Sequence, residues 1–119
     1  PDPPEHLGGR ASKVLRIGPL VFRHEPTGEA GEIAGHLHPA AKIIGRGRAV
    51  RRRCFASDGA RLVMPALGAF TGGLNVLDDA FGKVFPEGLT AFALGEGKVF
   101  VLSGGNLLGD VPRGAQWKL

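Results

Sequence analysis

Glu32-Ile33-Ala34-Gly35-His36-Leu37-His38-Pro39 is the stretch on which the reading of this chain turns. Residues 32–34 have strand character and stop at Gly35, where the histidines begin, so a strand feeds a loop. With an extended backbone over 36–38, residues two apart point to the same side. Both imidazoles then face one site while Leu37 faces the protein. Gly35 permits a sharp exit from the strand or a close backbone approach, and Pro39 stiffens the far side of the turn. Neutral imidazole is a good donor for Zn, Mn, Fe and Ni, and histidine-plus-carboxylate sites commonly hold two such ions for hydrolysis. Phosphoesters suit two ions about 3.5–4 Å apart best, because in-line displacement needs both the attacking and the leaving oxygen stabilised.

Working outward, residues 14–18 and 20–24 are short extended runs broken by Gly18-Pro19, which reads as a hairpin ending at His24. The chain has four histidines, and His24, His36 and His38 all fall at or just beyond predicted strand ends. A lone strand-end histidine usually caps a carbonyl, which is the reading for His6. The clustered three are read as metal ligands. Downstream, residues 48–56 mix β-branched, aromatic and basic side chains, and Ser57-Asp58-Gly59-Ala60 turns them into the apolar run 61–67 as paired strands. A short helical piece is expected at 76–81. Gly95-Glu96-Gly97 joins residues 90–94 and 98–102 in the clearest hairpin of the chain. Residues 1–13 read as an irregular lead-in and 103–119 as a flexible tail.

At 119 residues, 43% of them hydrophobic, the chain holds at most one domain with a modest core. Its 20 glycines and 9 prolines punctuate regular apolar runs, which points to many short strands rather than disorder. The fold class read from this is α+β, predominantly β. A net charge of +4 favours phosphate or acidic partners without naming one. The single cysteine, Cys54, excludes an internal disulfide; it reads as a half-buried structural thiol and fits a reducing cytoplasmic location. No signal peptide and no run of about 18 apolar residues is present, which excludes a helical membrane role. The chain opens on Pro1 rather than Met and is read as a piece of something longer.

Gly35-His36-Leu37-His38 resembles the closing Gly-His-x-His motif of calcineurin-like metallophosphoesterases, and His24 matches the solitary histidine that precedes it. Gly45-Arg46-Gly47-Arg48, Arg51-Arg52-Arg53-Cys54-Phe55, Met64-Pro65-Ala66 and Gly68-Ala69-Phe70-Thr71-Gly72-Gly73 extend the resemblance to bacterial ligase-associated DNA damage response endonucleases, over residues 14–102. The resemblance implies the C-terminal half of a four-layer α/β/β/α sandwich. It implies two divalent ions, Mn with Zn or Fe as alternatives, with His24 and His36 on one and His38 on the other. It also implies phosphodiester hydrolysis by in-line attack of a metal-bound hydroxide, on DNA, in a repair setting that includes a ligase or helicase. The family's Asp-x-His, Gly-Asp-x-x-Asp and Gly-Asn-His motifs do not occur in these 119 residues. The catalytic residues are therefore expected upstream, and this chain alone is expected to be inactive.

Arg46, Arg48, Arg51, Arg52 and Arg53 form the densest positive stretch and follow the histidine loop directly. They are the candidate nucleic-acid contacts, of the kind that gives affinity and salt dependence but little base specificity. Strand alternation puts Arg51 and Arg53 opposite Arg52, so a solvated strand face is the competing reading. Gly45-Arg46-Gly47-Arg48 reads as a turn rather than a phosphate loop. Asp78-Asp79 reads as an exposed helical turn rather than a metal site. The alternative to a phosphoesterase fragment is a non-catalytic basic β module that binds nucleic acid or a partner protein. A half sandwich leaves a sheet face and an edge uncovered, so a missing N-terminal half or a homo-oligomer is expected to cover them.

Overall fold

The computed structural model describes residues 14–68 and 73–110. Strands β1 (Val14–Ile17) and β2 (Leu20–Arg23) form the expected antiparallel hairpin, turning at Gly18. Strand β3 (Glu32–Ala34) then lies parallel to β2, with Val21 opposite Glu32 and Arg23 opposite Ala34. This close return depends on Gly31. Its φ is +82°, and a Cβ there would sit 2.1 Å from the Pro19 carbonyl oxygen. Strand β6 (Leu62–Val63) runs parallel to β3 on its other side, so three strand ends, β2, β3 and β6, point the same way.

The long strand β5 (Arg48–Ser57) ties the sheet together. Its first six residues pair antiparallel with β4 (Pro39–Gly45), and residues 54–57 pair with β8 (Thr90–Leu94), while Ala56 and Ser57 also pair with β6. The β4–β5 hairpin closes on Arg46-Gly47, both at positive φ (53° and 79°), as a two-residue turn matching the twist of its strands requires. Strands β8 and β9 (Val99–Leu102) form the hairpin expected around Gly95-Glu96-Gly97, and β7 (Leu74–Asn75) runs parallel to the start of β4.

Small side chains floor the core. Ala41, Cys54, Ala56, Ala91 and Ala93 line one face of the central strands, and that flat floor lets Phe81, Val84 and Phe85 from helix α1 (Asp79–Val84) and its end press against the sheet. Phe81 and Phe85 are the two largest fully buried side chains, each contributing about 1.5–3 kcal/mol by leaving water. Cys54 is buried rather than half-buried, and burial pushes its thiol up to about 12.

The described residues are mostly β-sheet with one α-helix, as expected from composition. The helix starts later than the 76–81 expectation because the Asp78 side chain accepts the Ala80 N–H and sets the cap there. Strand β4 was not legible, since Pro39-Ala40-Ala41 has poor strand propensity; its pairing to β5 and β7 decides its conformation. Residues 103–110, the described part of the expected tail, reach back to the sheet. Leu107 is 8% exposed against the core, and the Leu108 N–H donates to the Lys42 carbonyl at 2.8 Å. The lead-in 1–13, residues 69–72 of the glycine-rich stretch, and residues 111–119 lie outside the described residues. Leu15 and Ile17 on β1 and Val99 and Val101 on β9 are exposed.

Candidate metal centre

The parallel pairing of β2 and β3 explains how residues twelve apart in sequence meet. The ladder continues one step past both strands, with the Gly35 N–H donating to the His24 carbonyl at 3.0 Å. His24 and His36 thus emerge side by side at the carboxyl ends of adjacent parallel strands, the end at which open α/β sheets place their ligands. His36 Nδ1 lies 3.2 Å from His24 Nε2, and the two rings meet edge to face with centroids 5.0 Å apart.

The backbone at 36–38 is not extended, which corrects the geometry expected for the histidine loop. His36 has φ 70° and His38 has φ 50°. The Leu37 N–H donates to the Gly35 carbonyl at 2.9 Å, so His36 is the central residue of a γ-turn of the rare positive-φ type. Holding a non-glycine residue there costs about 1–3 kcal/mol, and such strain collects at functional sites. The tight turn aims the His36 ring back at His24. His38 instead starts the chain into β4, where its carbonyl accepts the Leu74 N–H at 2.8 Å.

The loop between His24 and β3 is held by Glu32, which the sequence reading treats only as the start of a strand. Its side chain is 1% exposed. Its carboxylate accepts the Thr27 N–H at 2.8 Å, the Thr27 hydroxyl at 2.7 Å and the Gly28 N–H at 3.1 Å, with Arg23 Nε at 3.4 Å. A buried acid preceded within five residues by a Thr-Gly turn was the available signal.

The His24–His36 contact lies at hydrogen-bond distance, with one ring N–H donating to the other ring nitrogen, and the same separation is compatible with two nitrogens of one divalent ion. Two nitrogens at about 2.0–2.1 Å from a tetrahedral ion stand about 3.3 Å apart, close to the observed separation. Both side chains are exposed and reachable by solvent. Among the described residues no group of three or more His, Cys, Asp or Glu side chains is placed to hold a metal ion. The structure therefore brings together two of the three expected ligands and leaves His38 beside them on the chain, outside any such group.

The five candidate arginines do not form one patch. Arg46 and Arg48 are exposed around the β4–β5 turn, and Arg52 is exposed on the opposite side of β5 from Arg51 and Arg53, as alternation requires. Arg53 donates to the carbonyls of Ala66 and Gly68 at 3.1 and 3.2 Å. Arg51 bonds the Asp110 carboxylate. No described helix is long and apolar enough to cross a membrane.

No protein-family model matches the chain, and no curated protein does. Among solved structures it is similar to the Pseudomonas putida nuclease MPE, with a TM-score of 0.59 and 26% sequence identity over 85% of this chain. The chain spans 47% of that nuclease's length, so its fold is similar to about half of a nuclease.

Proposed function

We propose that this chain is the histidine-bearing half of a dinuclear metal-dependent phosphoesterase of calcineurin-like type, completed as a four-layer sandwich and acting on phosphodiesters, DNA first among them. The observation that carries the reading is the convergence of His24 and His36 at the carboxyl ends of two parallel strands, with a strained turn at His36 and His38 two residues beyond. Similarity to half of a nuclease supports it. In this reading His24 Nε2 and His36 Nδ1 hold one ion and His38 contributes to the second. Mn is favoured, with Zn or Fe as alternatives. Bound divalent ions supply Lewis-acid polarisation of the phosphoryl oxygens and a more acidic water. The chain's own contribution is to orient the imidazoles through the β2–β3 ladder and to attract the phosphate backbone with Arg46, Arg48 and Arg52. Carboxylate ligands and the group that assists the leaving oxygen come from the partner half, in a cytoplasmic repair context with a ligase or helicase.

The test is Mn²⁺-dependent hydrolysis of bis-p-nitrophenyl phosphate and of DNA by the parent polypeptide. His36→Ala and His38→Ala are each expected to lower the rate about 100-fold or more, while DNA affinity falls little. The exposed arginines favour a second reading, a basic β module without catalysis. DNA binding by a parent polypeptide that shows no Mn²⁺-dependent hydrolysis would support that module, and hydrolysis left at the wild-type rate by both histidine variants would remove the metal assignment.

A further inference from the structure

We propose that Lys42, Arg51 and Asn75 form a phosphate-binding site whose place is taken in this structure by the carboxylate of Asp110, and that its ligand is a phosphodiester oxyanion. Register builds the site: Lys42 lies opposite Arg51 across β4 and β5, and Asn75 of β7 lies beside Ala40, two residues earlier on β4. Two donors and one further cation converge on one oxygen. Asp110 Oδ1 bonds Arg51 Nη2, accepts from Asn75 Nδ2 at 3.2 Å and has Lys42 Nζ at 3.9 Å.

Two observations make this more than a salt bridge. Asn75 is 3% exposed and is locked in orientation, its Oδ1 accepting the Leu77 N–H at 2.9 Å and its Nδ2 also reaching the Leu108 carbonyl at 2.9 Å. A buried amide aimed at an anion is a built feature rather than a solvated side chain. Arg51 Nη1 is enclosed and has no hydrogen-bond partner. The carboxylate thus uses one tine of the guanidinium fork, whereas a phosphate, with more oxygens and more charge than one carboxylate, suits an arginine, an amide and an ammonium group together. Two cations face a single carboxylate, and Asp110 is 51% exposed, so the occupant is the weakly held member of the cluster. The site stands about 13 Å along β4 from His38, at about 3.3 Å per residue. Asp110 acts as a tethered competitor of the ligand. Identification of the ligand as a phosphodiester rests on the proposed phosphoesterase reading; the anion site itself does not.

The experiment measures anisotropy of a labelled oligothymidylate in EDTA, so that failure of the metal reading leaves the result untouched. Asp110→Ala and Asp110→Asn are expected to tighten binding about fivefold to tenfold at low salt. Asp79→Asn, which removes a negative charge elsewhere, is expected to change it by less than about twofold. Adding Lys42→Gln or Arg51→Gln to Asp110→Ala should abolish the gain. The salt slope should steepen by about 0.7 for the added phosphate contact. Equal affinities for the Asp110 and Asp79 variants, or a gain that survives Arg51→Gln, would overturn the site. Asp110→Asn keeps the size and hydrogen bonding of the native residue, so a folding defect confined to Asp110→Ala leaves the test intact. Binding of inorganic phosphate by Asp110→Ala with no binding of the oligonucleotide would overturn the phosphodiester assignment.

Discussion

At the residue scale, the turn at His36 holds a non-glycine residue at a positive φ of 70°. Glycine adopts a positive φ at no steric cost, so His36→Gly should raise stability by about 1 kcal/mol while removing the proposed metal ligand. A thermal melt checks the first part and a metal titration the second; a lower midpoint would mean that the ring itself holds the loop. Asp58 shows how a single carboxylate shapes a turn. Burial pushes its carboxyl up, but the N–H groups of Ala60 and Arg61 and the Arg61 guanidinium outweigh this, leaving it below the ordinary carboxylate range. A carboxylate depressed on folding stabilises the protein above its unfolded pKa, and that contribution is lost as pH falls through the lower folded value. Thermal midpoints of the wild type and Asp58→Asn should therefore differ at neutral pH and converge below about pH 4. A gap that stays constant with pH would contradict the assignment.

Elements place the site, and their legibility in the sequence was uneven. Residues such as Val21, Phe22, Ile33, Phe92, Val99 and Val101 announce strands because β-branched and aromatic side chains suit a pleated surface, and Gly18-Pro19 and Gly95-Glu96-Gly97 announce the turns. The parallel pairing of β2 with β3 was not legible. It arises from a connection of eight residues, from His24 to Gly31, folded around the buried Glu32 carboxylate. Sequence therefore picked out His24 and His36 as candidates but gave the wrong backbone for their meeting. Replacing Glu32 with alanine leaves the Thr27 and Gly28 donors without the carboxylate they share, and leaves Arg23 paired with Glu29. We expect a loss of about 3 kcal/mol and loosening of the His24–His36 contact, measured by chemical denaturation and by imidazole NMR signals. Retention of both would show that the β2–β3 ladder suffices without the carboxylate.

On the scale of the whole molecule, two of the sheet's three terminal strands, β1 and β9, expose apolar side chains. Leu15 and Ile17 on β1 and Val99 and Val101 on β9 are exposed, a surface suited to further chain or a second copy. The similar nuclease is about twice as long as the matched span. The proposed metal assignment rests on the imidazole pair, and that pair is open to direct test in this chain. The decisive measurement is a Zn²⁺ titration followed by the ¹⁵N signals of the histidine side chains. His24 Nε2 and His36 Nδ1 should shift together along one binding curve, and the response should vanish in His36→Ala. Unshifted His24 and His36 nitrogens at millimolar Zn²⁺, or a response at the opposite ring nitrogens, would contradict the assignment of this pair as metal ligands.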